Sequence, residues 1–359
     1  MSAASPAPLP RGRVLDATND ATLQAVIAEG AAIIRAGGLV AFPTETVYGL
    51  GADALDQRAV ARIFAAKGRP AFNPVIVHIA DPAQLERVVR RVPPIARDLA
   101  AAFWPGPLTL VLPRHANIPD VVTAGLDAVG IRIPAHPVAR ALIEQSGVPI
   151  AAPSANAYTR VSPTTAAHVL AQLGDAVNLI LDGGPCLVGI ESTVLDVTGP
   201  LPLLLRLGGI SRTALEAVIG PVGVPEGSPT GDAPRPAPGM VERHYAPAAR
   251  LISFSTAQRD ATWRRVQALM LGGERVGVIA FDVDGVAATC NVRMPPDPAG
   301  YARELYAALH LLDRDNCSVA FVERHPVGGE WDAIADRLRR AGGGGRGTGD
   351  GRRETGGGE

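Results

Sequence analysis

The spacing of apolar positions divides the chain into helices and strands. In residues 22–36 apolar side chains recur near helical spacing, and the pair Gly37-Gly38 predicts the helix end. Short apolar runs, such as 39–42 and 108–112, predict buried strands instead. Further helices are predicted at 58–66, 82–90, 94–103, 137–146 and 162–173, and further strands at 75–79, 130–133, 148–152, 177–181, 192–197 and 202–207. Because the two kinds of element do not alternate strictly, the pattern favours an α/β fold with a twisted open mixed sheet.

A stretch rich in proline and glycine, from Pro221 to Pro247, has neither a helical nor a strand period. After it a strand–helix pattern resumes, with strands at 251–254, 276–281 and 318–322 and helices at 259–271, 299–313 and 331–340. This pattern predicts a smaller, Rossmann-like α/β domain on a parallel sheet. The expected organisation is a catalytic domain at 1–215, a linker and possible active-site lid at 216–247, a C-terminal domain at 248–341 and a disordered glycine-rich tail at 342–359.

Composition narrows the function classes. The 359 residues are 47% hydrophobic and 19% charged, which is enough apolar material for two cores. The net charge is −1, so the chain as a whole has no electrostatic attraction to nucleic acid or to a membrane. The N-terminus lacks an apolar signal region, and no apolar run approaches the ~18 residues of a membrane span. We therefore expect a cytoplasmic protein. The three cysteines are too widely separated for a disulfide framework or a metal-ligand spacing.

The segment from Pro43 to Gly51 follows the predicted strand 39–42, at the kind of strand end where α/β sheets usually bind ligands. Thr44, Thr46 and Tyr48 supply hydroxyls there, and glycines allow a close backbone approach. On these residues alone, a strand-ending turn with capping hydroxyls is an equally good interpretation.

Two cations, Lys67 and Arg69, follow the predicted helix 58–66 in a loop made rigid by Pro70 and Pro74. Such a loop suits a phosphate or a carboxylate. A solvated helix C-terminus, where the helix dipole favours cations, is the alternative. Lys67 is the one lysine among 34 basic residues, which is a weak sign of a chemical requirement.

Other polar residues interrupt apolar strands. Arg132 and Arg206 each lie among apolar neighbours, where an arginine is costly to bury unless it meets an acid or a bound anion. His78 lies in an apolar strand, where a histidine is more often a satisfied core residue than a ligand contact. Ser162, which precedes a proline, is typical of a helix N-cap.

Several common sites are not encoded. The sequence contains no P-loop and no dinucleotide-binding glycine fingerprint. It also contains no nucleophile elbow and no histidine pair at zinc spacing. Any ATP site must therefore be of another kind.

Taken together, the motifs resemble the YrdC-like family, in particular its long two-domain threonylcarbamoyl-AMP synthases. The resemblance rests on PTETVYGLGADA, KGRPAFNPVIVHI, WPGPLTLVL, VGIRIPAHP, APSAN, ESTVLD, LRLGGIS and the linker PGMVERHYAP. It covers the N-terminal domain nearly end to end and is looser in the C-terminal domain. The glycine-rich tail departs from the family pattern.

The resemblance implies that threonine, bicarbonate and ATP give threonylcarbamoyl-adenylate and pyrophosphate. The product would feed a threonylcarbamoyl transferase complex that modifies tRNA beside the anticodon, with tRNA an indirect or weak partner of this chain. Mg²⁺ is expected with ATP, held chiefly by phosphates. The implied catalytic pair is Lys67 and Arg69. The implied threonine-binding residues are Thr46, His78, Arg132, Ala152 and Ser192. The implied ATP-binding residues are Lys67, Arg69, Asn73, Ala128, Ser154, Ser162, Arg206 and Tyr245.

Three alternatives remain beside this function. A non-catalytic module that binds double-stranded RNA or tRNA has the same fold, but the chain is not basic overall. A carbamoyl-transfer domain of hydrogenase maturation would bring zinc-finger cysteines, which this sequence lacks. A structural scaffold would leave the arginines within apolar strands unexplained.

Overall fold

The computed structural model describes residues 9, 11–225 and 244–342 of the chain. Most of the predicted linker, residues 226–243, and most of the predicted tail, residues 343–359, lie outside the described residues. The strands are β1 (Arg13–Asp16), β2 (Val40–Phe42), β3 (Gly49–Asp53), β4 (Val77–His78), β5 (Leu108–Pro113), β6 (Ala128–Arg132), β7 (Ile150–Ala151), β8 (Leu179–Asp182), β9 (Thr193–Asp196), β10 (Leu203–Arg206), β11 (Arg250–Phe254), β12 (Val276–Ala280), β13 (Cys290–Arg293) and β14 (Val319–Glu323).

The α-helices are α1 (Asp20–Arg35), α2 (Gln57–Lys67), α3 (Pro94–Phe103), α4 (Asp120–Thr123), α5 (Pro137–Ser146), α6 (Ala166–Leu173), α7 (Arg212–Ile219), α8 (Arg259–Leu271), α9 (Pro298–Arg314) and α10 (Asp332–Ala341). Short 3₁₀ turns lie at Pro82–Arg87, Gly174–Ala176, Thr256–Gln258 and Gly329–Trp331. Among the described residues, no helix combines the length and the apolar character that crossing a bilayer requires.

The N-terminal domain is built on one mixed sheet with the strand order β1-β8-β2-β3-β7-β4-β6-β5-β9-β10. β4 pairs with β6 and β5 with β9 in parallel, whereas β5 and β6 are antiparallel, as are β9 and β10. The carboxyl ends of β4, β6 and β10 and the amino ends of β5 and β9 therefore share one edge of the sheet. Apolar side chains from the strands and helices form the main cores on either side.

The C-terminal domain is a four-stranded parallel sheet with the order β11-β14-β12-β13. Helix α9 packs most of its apolar face into a core that also includes residues of the N-terminal domain, among them Val161 and Ile190. The fold class predicted from the sequence, a mixed open sheet followed by a smaller parallel α/β domain, is confirmed.

Several elements differ from those predicted from the sequence. The helix predicted to begin after Ser162 begins at Ala166, and its N-cap is Thr165, whose hydroxyl accepts from the His168 amide at 3.3 Å. The Ser162 cap is therefore wrong, because that hydroxyl has another partner described below. Strands β1, β3 and β13 and helices α4 and α7 were not predicted, and the 82–90 helix is the shorter 3₁₀ turn Pro82–Arg87.

The domains meet closely at the loop between β8 and β9. Gly189 has a φ of +80°, and a Cβ built there would lie 2.4 Å from the Arg303 Cα of α9. Glycine is therefore required both by the backbone conformation and by the approach of the helix. Nearby, the rings of His168 and His310 stack across the boundary with centroids 3.7 Å apart.

Candidate functional site

A cleft lies at the shared edge of the N-terminal sheet, where β4, β6 and β10 end and β9 begins. Nine of the predicted site residues line it: Thr46, Arg69, His78, Arg132, Ala152, Ser154, Ser192, Arg206 and Tyr245. This set includes every residue assigned to threonine and four of those assigned to ATP. Strand pairing explains the convergence, since β4 and β6 are in register with His78 opposite Arg132.

Arg132 is buried on the wall of the cleft and contacts three other residues. Its Nη2 lies 2.6 Å from Oε1 of Glu45, its Nη1 donates to the Thr46 hydroxyl at 2.9 Å, and its Nε donates to the Gly106 carbonyl at 3.2 Å. The second Glu45 oxygen accepts from the Ala135 amide at 3.1 Å. The prediction that Arg132 meets an acid is thus confirmed, and one buried pair holds the guanidinium beside the cleft.

His78 lies beside Arg132 as a neutral imidazole. Burial, reinforced by the positive charge of Arg132, lowers the pKa of His78 to about 3. Within the described structure its Nδ1 is buried and has no hydrogen-bond partner. Since buried polar atoms are almost always paired, this nitrogen is a group that a ligand can satisfy.

Ser192 and Arg206 form a second polar group at the start of β9. The Ser192 hydroxyl lies 2.8 Å from that of Thr109. Arg206 donates from Nε to the Ser192 carbonyl and from Nη2 to the Ser192 hydroxyl, both at 3.0 Å. Burial lowers the pKa of Arg206 from its ordinary value. In the strand order, β10 with Arg206 lies on one side of β9, and β6 with Arg132 lies on the other side.

The cationic loop beyond α2 supplies Arg69. Asp56 caps the helix, and Gly68 ends it in the left-handed conformation with a φ of +62°. Arg69 then turns back to donate to the carbonyls of Asn73 at 3.4 Å and Pro74 at 2.9 Å. It is buried, its pKa is lowered by that burial to about 10, and it makes no salt bridge to any described residue. A buried cation without an acid favours a bound anion.

Lys67, predicted to bind ATP and to act in catalysis, is buried next to the Ser154 turn. Its ammonium donates to the carbonyl of Ser154 at 2.6 Å and to the carbonyl of Asn156, and it does not line the cleft. Burial, with the nearby Arg69, lowers its pKa well below the ordinary value. Lys67 therefore fixes the turn that carries Ser154.

Two other predicted ATP residues, Asn73 and Ser162, lie beside the cleft rather than on its wall, and a third, Ala128, lies at the far end of β6. Asn73 donates to the Tyr158 hydroxyl at 3.1 Å, while its own Oδ1 is buried with no partner among the described residues. Ser162 donates to Oε1 of Glu191 at 2.6 Å. Ala128 lies four residues before Arg132 and, by strand alternation, on the same face of β6.

Tyr245 closes the cleft from the described end of the linker. It is buried, has a φ of +61°, and packs edge to face against His244 with centroids 4.0 Å apart. A positive φ at a tyrosine is strained and indicates that neighbouring contacts hold the residue in place.

Four residues in or against the site were not predicted from the sequence: Glu45, Thr109, Glu191 and His244. Glu191 and His244 line the cleft, Glu45 pairs with Arg132, and Thr109 lies against Ser192. The available signal was the position of Glu45, Glu191 and His244 inside motifs whose neighbours were assigned. Their partners are distant in sequence, so spacing could not identify them.

A metal site is not built by the protein side chains in the described ranges. No group of three or more histidine, cysteine, aspartate or glutamate side chains there is placed to hold a metal ion. The expected Mg²⁺ therefore stays a prediction about the ATP complex.

Two family models together match most of the chain. One, for the Sua5, YciO and YrdC proteins and described as "Telomere recombination", matches residues 32–208. The other, described as "Threonylcarbamoyl-AMP synthase, C-terminal domain", matches residues 210–343.

Individual relatives match over both domains. Threonylcarbamoyl-AMP synthases of Pyrococcus abyssi and Bacillus subtilis are 46% and 44% identical to this chain over 321 and 326 residues. These alignments cover 87% and 89% of this chain and 93% of each relative. A crystal structure of P. abyssi Sua5 complexed with L-threonine superimposes with a TM-score of 0.84 at 42% identity, over 92% of this chain and 97% of the other.

Proposed function

Because the chain belongs to the threonylcarbamoyl-AMP synthase family, we propose that it converts L-threonine, bicarbonate and ATP into threonylcarbamoyl-adenylate and pyrophosphate. One observation carries the proposal. A single cleft contains Arg132 paired with Glu45 on one side, and on the other the buried Arg69, which has no acidic partner in the described chain. This arrangement fits a small amino acid next to a polyphosphate.

The reaction needs no nucleophile from the protein. The threonine amine and bicarbonate form a carbamate and release water. A carbamate oxygen then attacks the α-phosphorus of ATP, the bond from that phosphorus to the bridging oxygen breaks, and pyrophosphate leaves. The protein contributes positioning and charge neutralisation, which account for most of the catalysis of phosphoryl and nucleotidyl transfer by enzymes.

The Arg132 side of the cleft is assigned to threonine. The substrate carboxylate would share the guanidinium of Arg132 with Glu45, and the Thr46 hydroxyl accepts from Arg132 at 2.9 Å. His78 is neutral, so its free Nδ1 can accept a hydrogen bond from the substrate. Ser192 and the backbone at Ala152 complete this side. The P. abyssi structure named for its threonine complex supports the assignment.

The Arg69 side is assigned to ATP. Arg69 and Arg206 are buried cations on the cleft wall and suit phosphate oxygens, to which arginine can bind with two parallel hydrogen bonds. Lys67 acts mainly by holding the Ser154 turn. The Oδ1 of Asn73, which has no partner in the described structure, and the Ser162 hydroxyl lie beside this part of the cleft. Tyr245 covers this side. The assignment of Ala128 to ATP stays a prediction, since this residue lies at the start of β6 and Arg132 at its end.

Two further assignments go with this function. Mg²⁺ would enter with ATP and would be held chiefly by the phosphates and water. The adenylate product is then used by a threonylcarbamoyl transferase complex acting on tRNA. The relatives are named as synthases, and this chain aligns with most of their length, which supports the enzyme and not the RNA-binding alternative.

The test is product identification. With ¹³C-bicarbonate, threonine, Mg²⁺ and ATP, we expect mass spectrometry to detect an adenylate that carries both threonine and the labelled carbon. Arg132→Lys should raise the KM for threonine by about tenfold or more, because a charged hydrogen bond contributes roughly 1.5–3 kcal/mol. Arg90→Lys, at an exposed pair with Asp127, is the matched control and should leave that KM unchanged. An adenylate without label, or none at all, would overturn the proposal.

A further inference from the structure

A buried arginine of the C-terminal domain reaches into the N-terminal domain. Arg337 lies on α10, and its side chain is 0% exposed. Its Nε donates to Oε2 of Glu191 at 2.8 Å, and its Nη2 donates to the carbonyl of Leu207 at 2.7 Å. Both acceptors belong to the N-terminal domain, and Arg337 is one of the largest fully buried side chains in the described structure.

Glu191 lines the cleft and so connects Arg337 to it. Oε2 also accepts from the Tyr306 hydroxyl of α9 at 2.9 Å, and Oε1 accepts from Ser162 at 2.6 Å. Burial opposes ionisation, but the charges of Arg337 and Arg206 outweigh it and lower the pKa of Glu191 to about 2. Two side chains of the C-terminal domain therefore hold an ionised carboxylate on the cleft wall.

The three contacts of Arg337 with the N-terminal domain and the described end of the linker are made at, or next to, residues assigned to substrate. Glu191 immediately precedes Ser192, and Leu207 immediately follows Arg206. The guanidinium carbon also lies 5.1 Å from the ring centroid of Tyr245. One planar guanidinium thus sets the relative positions of three segments that come together only in the folded chain.

We propose that Arg337 is a positioning residue, through which the C-terminal domain fixes the nucleotide side of the cleft. The proposal rests on the function proposed above and gives the C-terminal domain a specific task in it. Three of the four groups that Arg337 aligns, Arg206, Tyr245 and Ser162, are assigned to ATP, and only Ser192 is assigned to threonine. Its loss should therefore act on ATP more than on threonine.

Stability alone is a weak explanation for this arrangement. Replacing a buried ion pair by apolar side chains of similar size is often neutral or stabilising, so burial of Arg337 does not by itself imply a gain in folding energy. Fixing the geometry of cleft residues is different, because small misplacements of groups that orient phosphates reduce turnover steeply.

The test compares Arg337→Lys with the double variant Glu191→Gln/Arg337→Met. Lysine keeps the charge near Glu191 but cannot also reach Leu207 in the same plane. The double variant avoids an unpaired buried carboxylate and so keeps the measurement possible if a single truncation fails to fold. In both variants we expect the KM for ATP to rise about tenfold, in keeping with a sub-ångström displacement. The KM for threonine should change less than threefold.

Arg303→Met is the matched control. Arg303 is another arginine of the C-terminal domain that donates across the boundary, to the Leu187 carbonyl at 3.0 Å, but it is exposed and Leu187 does not line the cleft. Its kinetic constants should equal those of the wild type. A second readout is the rise in Tm on adding ATP, which should shrink in the Arg337 variants while the rise with threonine persists.

The outcomes separate the two proposals. If the wild type makes the adenylate and the Arg337 variants lower Tm while leaving both KM values unchanged, Arg337 is only structural and the inference is overturned. Equal increases in the two KM values would overturn it as well. If the wild type makes no adenylate, the proposed function fails first. The ATP-dependent rise in Tm then still shows whether Arg337 supports nucleotide binding.

Discussion

At the residue scale, the cleft and its surroundings bury charge in two ways. Arg132 pairs with Glu45, and Arg337 pairs with Glu191. Arg69 has only carbonyl acceptors among the bonds described above, so its charge is available to an incoming anion. Buried histidines stay neutral instead, because an uncompensated charge in the interior is costly and burial lowers their pKa.

The stacked histidines at the domain boundary make stability depend on pH. Burial lowers the pKa of His168 to about 3, with a contribution from His310, and lowers that of His310 to about 4. Both are neutral in the folded protein at pH 6.5, whereas in the unfolded chain each binds a proton near that pH. The unfolded state therefore takes up more protons as the pH falls, and stability decreases from about pH 6.5 down to about pH 4.

His168→Phe tests this prediction because it keeps an aromatic ring in the stack and removes one titrating group. We expect the unfolding free energy, measured by urea denaturation, to fall less steeply between pH 7 and pH 5 than in the wild type. The difference in slope against pH should correspond to at most one bound proton. Carboxylates contribute equally in both proteins and cancel. An unchanged pH slope would mean that His168 does not titrate differently in the two states.

At the scale of elements, the loop between β8 and β9 joins the domains and leads directly into the cleft. Gly189 lies against the backbone of α9, two residues before Glu191. Gly184, in the same loop, has a similar φ of +82° but no atom within 4 Å of an added Cβ. Substitution of Gly184 would therefore introduce backbone strain alone, whereas substitution of Gly189 would also disturb the packing of the two domains.

We predict that Gly189→Ala is much more destabilising than Gly184→Ala. The second substitution should cost about 1–2 kcal/mol, from the left-handed backbone alone. The first should cost about 1–3 kcal/mol more, because the new methyl group overlaps the backbone of α9. Urea denaturation of both variants measures the difference. Equal losses would show that α9 can shift away from the loop at no cost.

The elements that the sequence identified are those with strong periodicity. The prediction of a helix at 137–146 matches α5, and that at 94–103 matches α3. β3 was missed because GLGAD lacks the β-branched residues of a typical strand, although its pairing with β2 buries it. The helix start at Ala166 was misplaced because Ser162 precedes a proline and so imitates a cap.

At the scale of the whole molecule, the N-terminal domain and the linker line the cleft, and the C-terminal domain contacts its wall through Glu191. The sequence grouped Thr46, His78, Arg132 and Ser192 through their motifs, and strand order brings all four to one cleft. It did not predict that the second domain contributes. Glu191 and Arg337 are 146 residues apart, and no periodicity or local motif links an acid in a loop to an arginine on a distant helix.

The most direct measurement of the central claim is pyrophosphate release by the purified full-length chain. With ATP, Mg²⁺ and bicarbonate present, we predict that release requires threonine and stops when bicarbonate is removed. This dependence follows from a carbamate that forms on threonine and then attacks the α-phosphorus. Release at the same rate without threonine would contradict the account, and so would the absence of release with every substrate present.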